Sequence, residues 1–212
     1  MSSATGVQTV AAVPEAQSSS PAVVLETIAH ELRQPLSAIE SIAYYLSLVL
    51  PRDGGPAREQ ARRLQQLVEQ SNWILTSALQ LADRAPLAPQ LVDLDALVRQ
   101  VVDSTIRLEL AGGLPLVRLD PVRGRALLEN LLLLFRQVAS DLHPVRIRTS
   151  KSESGVLLAI TTAVPGYRSE AGLGPGCGLS IESARRVVAL HGGAFRIHVD
   201  AVSGVRVEVV LP

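Results

Sequence analysis

A single cysteine, Cys177, in 212 residues excludes an intramolecular disulfide framework and a thiolate zinc cluster. Aromatic residues supply only 3 % of the chain against 47 % hydrophobic residues in all, so any core must be built from aliphatic side chains. Neither sign of charge dominates. Twenty basic and twenty acidic residues give a formal net charge of +0, which offers no broad attraction to nucleic acid or to an anionic membrane. No apolar run reaches the roughly 18 to 20 residues of a membrane span. The most tempting stretch, LLENLLLLF, is short and is interrupted by Glu129 and Asn130. The first residues lack the basic region and apolar core of a signal peptide. The expectation is a reduced, cytoplasmic protein with no nucleic-acid or membrane partner.

What is present has a clear order. Residues 1–20 are small and polar and read as a disordered N-terminal segment. Pro21 suits a first helical turn. Apolar residues then recur at Leu25, Ile28, Leu32, Ile39, Ile42, Leu46 and Val49, the three- and four-residue spacing of a coiled-coil or bundle seam. The breakers in PRDGGP end this helix. A second helix over 57–85 repeats the seam at Leu64, Leu67, Ile74, Ala78 and Leu81, with a further stripe at Val68, Leu75 and Leu79. Residues 21–86 therefore form a helical hairpin with more apolar surface than one partner helix covers. Homodimerisation into a four-helix bundle is the favoured expectation; the alternative is that the C-terminal half covers the surface.

From residue 87 to 212 the texture changes. A helix is predicted over 91–106, then short strands at RLEL and LVRL, and a strongly apolar helix over 120–142. VRIRTS and GVLLAITTAV read as strands. The glycine-rich GLGPGCG opens the helix LSIESARRVVAL, which HGG terminates, and AFRIHVDAVSGVRVEVVLP closes the sheet as a hairpin. The whole reads as an α/β sandwich with helices on one face of a mixed sheet.

The chemistry concentrates at IAHELRQPLSAI. His30 falls on the outer face of the first helix. Glu31 can accept a hydrogen bond from one ring nitrogen and so raise the nucleophilicity of the other. Arg33 adds a cation for a phosphoryl oxygen. Pro35 removes a backbone donor at a cost of about 3 kcal/mol, frees the carbonyl of Glu31, and reads as a hinge that lets the ring turn. Among the other histidines, His191 reads as a helix C-terminal residue, His143 as a loop residue and His198 as a strand residue. No pair has metal-ligand spacing, so no metal site is expected.

HELRQPLSAI resembles the phosphoacceptor box of sensor histidine kinases. LVDLDALVRQVV, LDPVRGRALLENLL and GLGPGCGLSIESARRVVALHGG follow the order of that family's ATP-binding domain, a GHKL (Bergerat) sandwich. By this resemblance His30 carries the phosphoryl group, Glu31 orients the ring or acts as base, and Gln34 stands where phosphatase members position a hydrolytic water. The resemblance also implies a nucleotide site at Asn130, Gly166, Gly174, Gly176 and Gly178.

Several parts of that site depart from the pattern. The principal Mg²⁺-ligating asparagine becomes Leu134, and a leucine cannot ligate a hard cation. The basic residue beyond it becomes Gln137. The adenine-reading aspartate becomes Thr162, and the first glycine of its box becomes Val164. Losing that carboxylate costs a few kcal/mol, on the order of a hundredfold in affinity. The lid shrinks to YRSEAGL, and Val205 replaces a small hydroxyl residue. The surviving glycines are either a residual anion site or a relic of the fold. Cys177 and Asn130 have plain packing and hydrogen-bonding roles as alternatives.

Three functions follow. The first is a phosphotransfer protein that shuttles a phosphoryl group between response-regulator receiver aspartates through His30. It needs no cofactor of its own, because the receiver supplies Mg²⁺. The second is a divergent but active kinase that uses ATP to phosphorylate His30. The third is a non-catalytic pseudokinase scaffold that regulates a kinase or receiver.

Overall fold

The computed structural model describes residues 21–51 and 55–212. The segment expected to be disordered, 1–20, and the tip of the hairpin loop lie outside these residues. Helix α1 (Pro21–Val49) runs unbroken through Pro35, and α2 (Gly55–Ala82) returns along it. Small residues set the approach between them: Ala29, Ala43 and Ala61 are buried, and Val68 beside them. Arg58 closes the turn by donating to the carbonyls of Leu50 at 3.3 Å and Pro51 at 3.2 Å. The seam itself stays uncovered. Ile28, Leu32, Ile39, Ile42 and Val49, with Leu64 and Leu67 on α2, remain 40–60 % exposed.

The second half is a two-layer sandwich. Strands β2 (Arg107–Glu109), β4 (Arg146–Ser152), β5 (Gly155–Thr162), β6 (Ala194–Asp200) and β7 (Gly204–Leu211) form one sheet in the order β2-β4-β5-β7-β6. Only the β2–β4 pairing is parallel. Helices α3 (Leu94–Val101), α4 (Pro121–Val138) and α5 (Cys177–Leu190) belong to the same half. Alternation along the strands turns Ile147, Val156, Leu158, Ile160, Val205, Val207, Val209 and Leu211 inward. They join Leu128, Leu131, Leu134, Phe135, Ile181, Ala184 and Val188 in one core.

Four boundaries differ from the sequence expectation, the first being the end of α2 at Ala82 and not at 85. Residues 91–106 are not one helix. Gln90–Val92 forms β1, antiparallel to β3 (Val117–Leu119), and Asp93 then caps α3 by accepting from the Ala96 amide at 3.1 Å. The apolar helix ends at Val138, short of 142, where Ser140 and His143 close a turn. The last helix begins at Cys177, inside the glycine-rich loop, so Gly178 is helical.

Asp120 joins the two halves. It caps α4 by accepting from the amides of Val122 at 3.0 Å and Arg123 at 3.2 Å, with Pro121 in the first turn. Its other oxygen accepts from Ala88 in the hairpin-to-sandwich connection at 3.0 Å. Burial raises this carboxyl, but the three amide bonds and the charge of Arg123 outweigh it and hold it below the usual carboxylate range. Its own amide donates to His191 Nε2 at 3.0 Å, while His191 Nδ1 donates to the Val187 carbonyl at 2.8 Å. His191 therefore ties the end of α5 to the start of α4.

Asp120→Ala removes a helix cap and a bond to the connection, a loss of about 1–3 kcal/mol by urea unfolding at pH 7. The native carboxyl is depressed, so its contribution is complete above the unfolded value of about 3.9. It is lost as pH falls through the lower native value. The gap between wild type and Asp120→Ala should shrink from pH 7 towards pH 3; a gap independent of pH would contradict the assignment.

Candidate functional site

His30, Glu31, Arg33 and Gln34 are all exposed on α1. Residues three and four apart share a helix face, so Arg33 and Gln34 flank His30 one turn along. Glu31 projects about 100° away around the axis, and among the described residues no hydrogen bond joins it to the ring. Arg33 is drawn across the hairpin, where Nη2 donates to Thr76 Oγ1 at 3.4 Å. The imidazole is thus open to a second macromolecule. Its neighbours are an amide and a guanidinium, with the carboxylate to one side.

The residues of the implied nucleotide site are arranged very differently. Asn130 is 2 % exposed, and its amide is fully occupied. Oδ1 accepts from the Trp73 indole at 3.2 Å and the Ser77 hydroxyl at 3.1 Å. Nδ2 donates to Gln80 Oε1 and to Ser183 Oγ. Ser77 and Ser180 share a further bond of 2.9 Å, and Ser183 donates to Gln80 at 3.0 Å. Every partner outside the sandwich comes from α2.

The glycine loop meets the same helix. Gly176 has φ +85°, and a Cβ there would lie 2.8 Å from Ile74 Cγ1 and 3.2 Å from the Trp73 ring. Only a glycine allows both that backbone and that contact. Gln70 donates to the Pro175 carbonyl at 3.1 Å. The Trp73 indole therefore stands between Asn130 and Gly176. Gly174 precedes it with φ +110°, while Gly166 lies on another loop, its amide bonded to the Ala201 carbonyl.

The replaced positions are equally committed. Leu134 is fully buried in the apolar core and offers no oxygen to a cation. Thr162 donates to the His143 carbonyl at 2.8 Å. The lid is one short turn, Glu170–Leu173. Cys177 is buried beneath it, and burial pushes its thiol up to about 11, so it is a packing residue and not a nucleophile. Among the described residues no group of three or more His, Cys, Asp and Glu could hold a metal ion.

Trp73, Ser77 and Gln80 were not singled out by sequence reasoning. Their spacing carries a signal: they stand at i, i+4 and i+7, a polar and aromatic face of α2 apart from its leucine seam. Beyond α2 the attachment continues. Arg186 donates to the carbonyls of Leu81 and Asp83, and Arg123 to Asp83 and the Ala85 carbonyl. The C-terminal half thus covers the Trp73 face of α2, while Leu64, Leu67 and most of the seam of α1 stay exposed among the described residues.

A helical hairpin joined to a GHKL-type sandwich defines a class of fold, and comparison with known proteins agrees with it. No family model matches the chain. It is 28 % identical over 205 residues to sensor histidine kinase ZraS of Escherichia coli O157:H7, covering 87 % of this chain and 44 % of that protein. It is 32 % identical over 114 residues to sensor protein kinase PilS of Pseudomonas aeruginosa, half of this chain and 21 % of that one. Among solved structures, full-length ShkA in complex with AMPPNP superposes with a TM-score of 0.61 at 22 % identity, covering 90 % of this chain and 45 % of that one. Histidine kinase AdeS of Acinetobacter baumannii gives 0.53 at 16 % identity, covering 86 % of this chain and 96 % of that one. The chain is a homologue of the sensor histidine kinases. It spans less than half the length of the ZraS proteins it matches, and among its described residues no helix is long and apolar enough to cross a membrane.

Asn130→Ala leaves the Trp73 N–H and the Ser77 hydroxyl without their acceptor, at about 1–3 kcal/mol each. At roughly 2–4 °C per kcal/mol for a chain of this size, the melting temperature should fall by several degrees. Emission from Trp73, the single tryptophan, should shift to the red as α2 loosens. Unchanged melting and emission would show that this network does not hold α2 to the sandwich.

Proposed function

We propose that the chain is a phosphotransfer protein of two-component signalling, taking a phosphoryl group from one receiver aspartate onto His30 and passing it to another without using ATP. The observation that carries this reading is a contrast. The His30 ring is exposed, while the Trp73 indole fills the space between Asn130 and Gly176 where the family resemblance implies a nucleotide. A Mg²⁺–nucleotide would need Asn130 to abandon four hydrogen bonds and Leu134 to act as a ligand. Neither change has a compensating partner nearby.

In the proposed step a neutral His30 ring nitrogen attacks the phosphorus of a receiver's aspartyl phosphate in line. The nitrogen–phosphorus bond forms as the acyl-phosphate P–O bond breaks, and the aspartate leaves as a carboxylate. The proton on the second ring nitrogen passes to water or to Glu31 after a side-chain rotation. Arg33 and Gln34, one turn along, meet the transferring oxygens. The same step in reverse delivers the group to a second receiver. Mg²⁺ belongs to the receiver in this scheme.

Assembly is part of the proposal. The exposed seam of α1, Ile28 through Val49, is the surface on which a second copy completes a four-helix bundle. His30 lies off that seam and stays open in the dimer.

Incubation with a phosphorylated receiver should label wild type and leave His30→Ala unlabelled, while radiolabelled ATP–Mg²⁺ labels neither. Labelling from ATP would favour an active kinase, and labelling from neither donor would favour a scaffold; both would overturn the proposal. Light scattering should give a dimer mass at micromolar concentration, and Ile42→Glu should shift it towards monomer. A monomeric wild type would contradict the bundle.

A further inference from the structure

The helices of the sandwich cover one face of its sheet, and the other face is open. Strand register lays two rows of side chains across that face. Arg107, Arg146, Thr161, Arg206 and His198 are aligned partner to partner, and Glu109, Arg148, Ala159, Glu208 and Arg196 form the next row. Five arginines and a histidine thus meet two glutamates in a protein whose formal net charge is +0.

Those two carboxylates are already engaged. Glu109 accepts from Arg146 at 3.3 Å, and Glu208 accepts from Arg206 at 2.5 Å with His198 at 3.9 Å. Arg107, Arg148 and Arg196 are exposed and hold no ion pair among the described residues. Nothing in the fold requires this excess of one sign on one surface.

We infer that the open sheet face docks an acidic, extended polypeptide segment of a partner protein, laid across the strands along the Arg107–His198 row. Size, chemistry and charge pattern each narrow the choice. Four strand spacings of about 4.8 Å make a patch roughly 20 Å wide. Its area of a few hundred Å² is well below the ~800 Å² per partner of a stable globular interface, which suits a segment. An extended chain presents same-side carboxylates about every 6.8 Å, within reach of long guanidinium side chains that pair with them as two-pronged forks.

Other polyanions fit less well. Single-stranded nucleic acid needs aromatic platforms for its bases, and neither row contains a phenylalanine, tyrosine or tryptophan. Duplex DNA and an anionic membrane hold their charges on surfaces that cannot follow a single row of side chains, whereas an extended chain runs along it.

The test measures anisotropy with the full chain and labelled 20-residue polyglutamate, a labelled 20-base-pair DNA duplex, and vesicles of phosphatidylcholine with phosphatidylserine. Polyglutamate should bind the wild type, more weakly as salt rises. Arg148→Glu/Arg206→Glu should weaken it at least tenfold, while Arg99→Glu on α3 leaves it within twofold. Should the charge-reversed variant melt early, Arg107→Gln/Arg196→Gln, at two exposed and unpaired arginines, serves in its place with the same expected direction. Polyglutamate binding that is absent, or indifferent to these substitutions, would overturn the inference. So would tighter binding of duplex or vesicles through the same arginines.

Discussion

The architecture depends on one buried polar contact, the amide of Asn130 held by Trp73, Ser77 and Gln80 of α2 and by Ser183 of α5. A buried amide left unpaired would cost more than most single packing contacts provide. The four side chains around it therefore position α2 against α4 and α5 closely, and the indole of Trp73 brings apolar burial to the same point. With that face of α2 fixed, Gly176 must stay a glycine and the connection at Ala88 must reach Asp120.

The two halves of the chain use their polar groups differently. Helix α1 keeps His30 outward and exposed. The sandwich keeps the core of its fold, but the atoms that stand where the resemblance implies nucleotide contacts are spent on internal bonds: Asn130 on α2, Thr162 on the His143 carbonyl, Leu134 on the apolar core. Among the described residues no buried side-chain nitrogen or oxygen lacks a partner.

The legible part of the fold was the part written in local pattern. The hairpin seam, the apolar α4, the alternating strands and the terminating HGG each carry their signal within a few residues. The errors lay where a long-range pairing overrode a local preference. Gln90–Val92 continues an apolar pattern into α3, yet its backbone is claimed by β3, and Asp93 marks the true start of the helix. The exposure of His30 followed from its place off the seam. The engagement of Asn130 did not, because its partners are 53 and 57 residues away on another helix.

The order of elements, the helical hairpin, the aliphatic core and the outward histidine were determined by the sequence itself, since periodicity and breakers act over one or two turns. Two features were decided only in three dimensions. One is the wedge of Trp73 between Asn130 and Gly176, which exists because α2 folds back on the sandwich. The other is the basic sheet face. Arg107, Arg146, Arg148, Arg196 and Arg206 are scattered over a hundred residues of an electrically neutral chain, and strand register alone brings them side by side. Net charge sums over the whole molecule, whereas a binding surface responds to the charges within a few ångströms of it.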